Sequence, residues 1–238
     1  MDMKKIITCA ALLAGIVFFN GRLNAQVESD IVGYTTIAME AGKWYQVGSP
    51  FVALDDSTPL KLNDVFSTGF DANDTLSIYD PETSLYKTYH WSTAKSAWCA
   101  SKRPTAAAVD IDLPAGKAVF INKATAGDIV LSGKVAVAEA TEFGKEEGYA
   151  WDQIVCVYPE TMKLNEINWS GLASGDTLSI YDSATSLYKT YHWNTSNSSW
   201  CASKRPTAAA VDVDVPAGQA FFINKSSAGK ATCSPSNN

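Results

Sequence analysis

The chain has 238 residues, a formal net charge of −6 and a pI near 4.9. An acidic chain with no basic cluster has nothing to neutralise a phosphate backbone, which excludes nucleic acid as a partner. Its apolar content of 46% is enough for one large core or two small ones.

The first predicted element is a targeting segment. Lys4 and Lys5 give a basic start, Ile6 to Phe19 is an apolar run of 14 residues, and Leu23-Asn24-Ala25 ends on a small side chain. This is the layout of a secretory signal peptide over residues 1–25, cleaved after Ala25. The run is shorter than the roughly 20 residues of a membrane span, and no later run predicts a span either. Cys9 sits near the start of the run rather than just after it, which argues against lipid attachment. Cleavage removes Asp2, Lys4, Lys5 and Arg22, a net of +2, so the mature chain carries −8. The expected location is secreted, whether periplasmic, extracellular or at the cell surface.

After the signal the pattern is that of strands. "DIVGYTTI" (30–37) and "KWYQVGSPF" (43–51) are rich in β-branched and aromatic residues. One short helix is expected over 57–66: Ser57 and Thr58 can cap, Pro59 suits the first turn, and Leu60, Leu62, Val65 and Phe66 share a face. "DTLSIYD" (74–80), "LYKTYHW" (85–91), "AVDIDL" (108–113), "KAVFIN" (117–122) and "DIVLSGKV" (128–135) follow as strands. Turns at Pro81-Glu82-Thr83-Ser84, Pro114-Ala115-Gly116 and Ala126-Gly127-Asp128 separate them.

The pattern then recurs. Asp74–Gly127 aligns with Asp176–Gly229 at an offset of 102; of 54 positions 12 differ, leaving 42 identical. Upstream the copies have drifted, and "KWYQVGSPF" matches "AWDQIVCVY" (150–158) only with a shift. Two β repeats are expected, 28–133 and 134–236, packed as a rod or a pseudo-dimer. With about seven to eight strands each and at most one short helix, each reads as an all-β sandwich or barrel-like unit.

The order of these motifs resembles a repeat in uncharacterised secreted proteins of the Planctomycetes–Verrucomicrobia group: V-G-Y, a Gly-Lys-Trp strand, D-x-L-x-x-Y, P-G-x-A-F-F and V-x-x-S-G. The resemblance covers nearly the whole mature chain and implies export and an all-β repeat, with no activity attached. The second copy departs from it at both ends, where "KVAVAEATEF" replaces "DIVGYTTI" and "KATCSP" replaces "DIVLSG".

Centring the hairpin turn between Glu82 and Thr83 pairs Tyr79 with Tyr86, Ser77 with Thr88 and Thr75 with His90 on one face. Ile78 with Lys87, Leu76 with Tyr89 and Asp74 with Trp91 share the other, aliphatic face. The first face is a stripe of hydroxyls, tyrosines and a histidine. Tyr79, Tyr86 and His90 are its candidate binding residues, and Tyr181, Tyr188 and His192 are theirs in the second copy. Such a surface suits a sugar or peptide, although an ordinary outer sheet face reads the same way.

Catalysis has little to stand on. His90 and His192 are the only histidines, and a general base needs a nucleophile and an orienting partner. Asp110 with Asp112, and Asp212 with Asp214, are paired carboxylates that read as surface ion pairs with the nearby Lys102 and Arg103. Asp71-Ala72-Asn73-Asp74 resembles part of a calcium loop, but Ala173-Ser174-Gly175-Asp176 lacks two of the ligands. No cofactor and no metal is expected. The loop "SKRPTAAA" is the same in both copies.

Four cysteines follow the signal: Cys99, Cys156, Cys201 and Cys233. Cys156 and Cys233 are peculiar to the second copy, where the first has Ser49 and Leu131, so a disulfide between them is expected. Cys99 and Cys201 are equivalent and could join only across a two-fold axis. The functional expectation is a non-catalytic binding or adhesion module for an extracellular polymer such as polysaccharide, held by the two stripes. A self-assembling surface or matrix component is the alternative, and a hydrolase a remote one. The oligomeric state is left open.

Overall fold

The β-hairpin is the unit from which the molecule is built. In the computed structural model, which describes residues 32–54, 60–136, 140–146 and 150–235, the first half holds β1 (Val32–Met39), β2 (Trp44–Gly48), a single-turn helix α1 (Leu62–Val65), β3 (Thr75–Asp80), β4 (Leu85–Ser92), β5 (Ala97–Cys99), β6 (Ala118–Asn122) and β7 (Gly127–Lys134). The second half holds β8 (Thr141–Phe143), β9 (Ala150–Val155), β10 (Met162–Lys163), β11 (Asn168–Ser170), β12 (Thr177–Asp182), β13 (Leu187–Asn194), β14 (Ser199–Cys201), β15 (Asp214–Val215), β16 (Ala220–Lys225) and β17 (Ala231–Ser234). The predicted signal segment and the capping residues Ser57, Thr58 and Pro59 lie outside the described residues.

Each half carries one five-stranded antiparallel sheet, ordered β2-β6-β3-β4-β5 in the first and β9-β16-β12-β13-β14 in the second. β1 pairs with β7 as a separate ribbon, and β8, β17 and β11 form its counterpart; β10 pairs with β15. Among the described residues no sheet closes into a barrel. The helix expected over 57–66 is reduced to α1, and the second half has strands β10 and β11 in its place.

The expected hairpin register is the observed one. Thr75 faces His90, Ser77 faces Thr88 and Tyr79 faces Tyr86, and the same pairs recur between β12 and β13. Both hairpins close through a turn whose last residue, Ser84 or Ser186, has a φ of 56° or 57°. That left-handed residue lets the chain re-enter the second strand.

Alternation then assigns the faces. Leu76, Trp91 and Ile121 of the first sheet meet Ile129 and Leu131 of the β1–β7 ribbon, with Leu62, Val65 and Phe66 around α1 closing one end. In the second half Leu178, Tyr191, Trp200, Phe221 and Ile223 meet Phe143, Ala231 and Cys233. Each half is thus a small sandwich with its own core.

A charged staple fixes each hairpin to its neighbour. Asp74 and Lys123 are both buried with 3.2 Å between their charged atoms. The Asp74 carboxylate also accepts from the backbone N–H of Ala124 and of Asp71, at 2.7 and 2.8 Å, and Lys123 donates to the Gly69 carbonyl. Asp176 and Lys225 repeat the arrangement. The carboxylate that resembled a calcium ligand is therefore occupied by a lysine ammonium. Burial of both charges requires that pairing and those extra hydrogen bonds.

Candidate functional site

The polar-aromatic faces of the two sheets turn toward each other. β2 and β9 carry the seam. The backbone N–H of Gly48 donates to Gly218 O at 3.0 Å, and that of Val155 donates to Gly116 O at 2.8 Å. Gly48 aligns with Val155 and Gly116 with Gly218, so one bond is the other with its partners exchanged. The bridges Val47↔Gln219 and Lys117↔Ile154 are exchanged in the same way. Reciprocity of this kind is the mark of an isologous contact, as between subunits of a two-fold dimer. Gly48 is required at the seam, because a Cβ there would sit 2.5 Å from Val155 Cγ1.

Aromatic rings continue the symmetry. Tyr79 packs edge-on to Phe222 at 5.0 Å, and Tyr181 to Phe120 at 5.3 Å. Tyr79 also touches Tyr86, and Tyr181 touches Tyr188. The Tyr86 and Tyr188 phenols meet across the axis. Burial raises the pKa of both hydroxyls, and the neighbouring Tyr86 holds that of Tyr188 higher still. At the outer ends Trp44 contacts Phe120 at 6.3 Å and Trp151 stacks on Phe222 at 5.0 Å. The result is one unbroken band of rings from Trp44 across the seam to Trp151.

This geometry revises the expected site. Two separate, rigidly spaced stripes are not what the fold presents, because the stripes face each other. Tyr79 is only 6% exposed, whereas Tyr86 and Tyr188 remain 45% and 44% exposed. Beside them lies an open cleft of about 350 Å³ lined by Trp44, Ser77, Tyr86, Phe120, Tyr181 and Tyr188. The Ser77 and Thr88 hydroxyls bond each other at 2.8 Å, as do Ser179 and Thr190 at 2.9 Å.

His90 and His192 stay at the margin. Each is half-buried, with an Nδ1 atom that is buried and without a partner. Desolvation first, and then the Lys102 charge for His90 or the Lys204 charge for His192, lowers both pKa values. Both are therefore neutral imidazoles near pH 7.

The paired carboxylates lie elsewhere, with a different partner from the one expected. Lys61, not Lys102 or Arg103, bridges Asp110 and Asp112 at 3.0 and 2.5 Å. Lys163 bridges Asp212 and Asp214 at 2.9 and 2.7 Å. Hydrogen bonds to these carboxylates raise the pKa of each lysine. Among the described residues no group of three or more His, Cys, Asp or Glu side chains is placed to hold a metal.

The expected Cys156–Cys233 bond is not formed: among the described residues Cys99, Cys156, Cys201 and Cys233 are buried free thiols. The two thiols are neighbours joined by a hydrogen bond and not by a covalent bond. A hydrogen bond with Cys156, and then burial, raises the Cys233 thiol pKa well above its ordinary value. Cys99 and Cys201 do not approach each other; each makes local contacts to its own half.

Sequence reasoning missed Trp44, Phe120, Trp151 and Phe222, and also Gln46 and Gln153. Their signal was present as alternation along "KWYQVG" and "KAVFIN". Placing them beside the tyrosines needs the pairing of β6 with both β2 and β3, which is long-range. No family model, curated protein or solved structure matches this chain.

Proposed function

We propose that this is an exported, non-catalytic binding module that holds an extended polysaccharide along the aromatic band. The carrying observation is the continuity of the band: rings in contact from Trp44 to Trp151, with Trp44, Tyr86 and Tyr188 left partly open above a cleft of about 350 Å³. A pyranose presents a flat apolar face and a rim of hydroxyls. Partly exposed tyrosine and tryptophan rings offer the matching apolar surface, and the phenol and seryl hydroxyls offer polar contacts beside it. An elongated band favours a polymer over a single sugar, because successive rings each add a stacking contact against one loss of freedom. The reading requires neither a metal nor a base.

The test is co-sedimentation with a panel of insoluble polysaccharides, for wild type and for Trp44→Ala, Tyr86→Ala and Tyr188→Ala. At least one polymer should retain the wild type. The Tyr86→Ala/Tyr188→Ala double variant should lose at least about tenfold in affinity, the equivalent of ~1.4 kcal/mol. Unchanged binding by the double variant would rule the band out. Concentration-dependent ordered assembly without polymer binding would favour a structural component instead.

A further inference from the structure

β1 is a long strand with one neighbour. It runs for eight residues, Val32 to Met39, and pairs along its whole length with β7. Among the described residues no other strand pairs with it, and its backbone makes no bond outside that pairing. Its far edge presents a row of unfilled N–H and C=O groups, which another strand can fill. The core is open on the same side. Leu131 and Ile129 of β7 are fully buried, but the residues they face on β1, Thr35 and Ile37, are only half-buried. On the outer surface Tyr34 is 78% exposed.

Comparable edges elsewhere are blocked. β5 covers only the end of β4, from His90 to Ser92, and the open part of β4 holds Lys87; β13 beside β14 holds Lys189 in the same way. A lysine in an open edge discourages a further strand. β8 stands in the second half where β1 stands in the first, and it is cut to three residues. Gly144 follows it with a φ of 90°, and the exposed Glu142 is paired with Lys230 at 2.7 Å. Thr141 and Phe143 are buried, so that core is closed. β1 has no charge, no proline and no bulge.

We propose that β1 pairs antiparallel with β1 of a second copy, about a two-fold axis at Thr35, so that two β1–β7 ribbons become one four-stranded sheet. Charge selects a second copy as the occupant. The chain carries a net −6, so a basic partner would be met by acidic side chains at the contact, and β1 has none. An uncharged strand lets two acidic copies meet without repulsion at the contact itself. Register supports the axis. Opposed residues share a face, and the pairing centred on Thr35 keeps every residue on its own face. On the inner face Gly33 meets Ile37, small against large, and Thr35 meets Thr35. On the outer face Tyr34 meets Thr36 and Val32 meets Ala38. The contact is isologous and closes at two copies. It does not depend on the aromatic band, which the five-stranded sheets carry.

Sedimentation velocity of the purified full chain over a concentration series reads the mass. The wild type should pass from monomer to dimer and stop there. Tyr34→Lys/Thr36→Lys sets lysine against lysine in both central outer pairs and should weaken the dimer by at least about tenfold. Tyr34→Lys/Thr36→Glu sets lysine against glutamate and should restore it. Both positions are exposed, so the urea midpoints should stay at the wild-type value. Thr35→Cys places two thiols at the axis and should join two copies by a disulfide when oxidised glutathione is added, whereas Ala38→Cys should not. If the charge variants do not fold, this pair of cysteine variants decides. A wild type that stays monomeric, a dimer that survives Tyr34→Lys/Thr36→Lys, or growth beyond two copies overturns the proposal. Loss of the dimer in both charge variants, without recovery by the lysine–glutamate pair, overturns the antiparallel self-pairing and assigns the association to a lost apolar contact.

Discussion

Trp98 and Trp200 occupy equivalent places in the two halves, yet they are satisfied differently. Trp98 donates its indole N–H to Phe66 O at 2.8 Å, whereas Trp200, equally buried, has no partner for Nε1. The cause lies beneath the hairpins. In the first half α1 leads into Phe66, and Phe70 packs on Trp91 and Trp98 at 5.3 and 4.8 Å. In the second half Leu172 stands in place of Phe70, and Trp169 covers Trp200 at 5.4 Å. There Trp169, Trp193, Asn165 and Glu166 border a polar recess of about 510 Å³. The drifted N-terminal segments differ most where they cover the tryptophans, and there each half could repack alone. The nearly identical segments supply Tyr79, Tyr86, Phe120 and their equivalents, the rings that pack across the seam beside β2 and β9. There a side chain of one half packs on a side chain of the other, so a change is felt on both sides of the axis. Shared packing gives a physical reason for the likeness of the hairpins.

The charged staples should give the largest effects and separate the halves. Lys123→Met leaves Asp74 buried without its cation and should destabilise by about 3–5 kcal/mol. Lys225→Met should cost less. Asp176 keeps a bond from the Ser226 hydroxyl at 2.8 Å in addition to backbone bonds, whereas the first half has Ala124 there. Adding Ser226→Ala should bring the two losses level. Urea unfolding of the three variants measures this. Equal losses from the two single lysine changes would show that the hydroxyl contributes nothing.

The staple also shows how far the sequence could be read. Turn chemistry and alternation set the hairpin register, so every expected pair from Thr75–His90 to Tyr79–Tyr86 is found. Asp74 was visible as a turn carboxylate, but its partner Lys123 is 49 positions away and reaches it only once β6 lies beside β3. The same limit hid the site. Trp44 and Phe120 join the tyrosines through long-range pairing, and the meeting of the two stripes depends on the seam, which periodicity does not encode. Equivalence of Gly48 and Val155 becomes meaningful only when one is seen to pack on the other.

That seam pair gives the intermediate effect. Gly48→Val should overpack against Val155 and destabilise by about 1–3 kcal/mol. Exchanging the sizes in Gly48→Val/Val155→Gly should recover much of the loss, because the contact lies between equivalent positions. Recovery would confirm that the two halves share one interface. Wild-type stability in Gly48→Val, or a double variant worse than the sum of its parts, would show that the close approach does not constrain the fold.

The smallest effect returns to the tryptophans. Replacing either by Phe removes a similar volume from a similar core, so the cavity contribution should largely cancel between the two variants. The hydrogen bond does not cancel. Trp98→Phe strands the Phe66 carbonyl, and the loss of one such bond costs about 1 kcal/mol. Trp200→Phe deletes an N–H that had no partner, so the relief of its desolvation offsets part of the lost packing. Trp98→Phe should therefore be less stable than Trp200→Phe by about 1 kcal/mol, read as a difference in urea midpoints at a common slope. If Trp200→Phe proves equally damaging, its indole N–H is satisfied in solution from the recess beside Trp169 and Trp193. The difference between the halves would then be one of exchanged partners and not of a missing one.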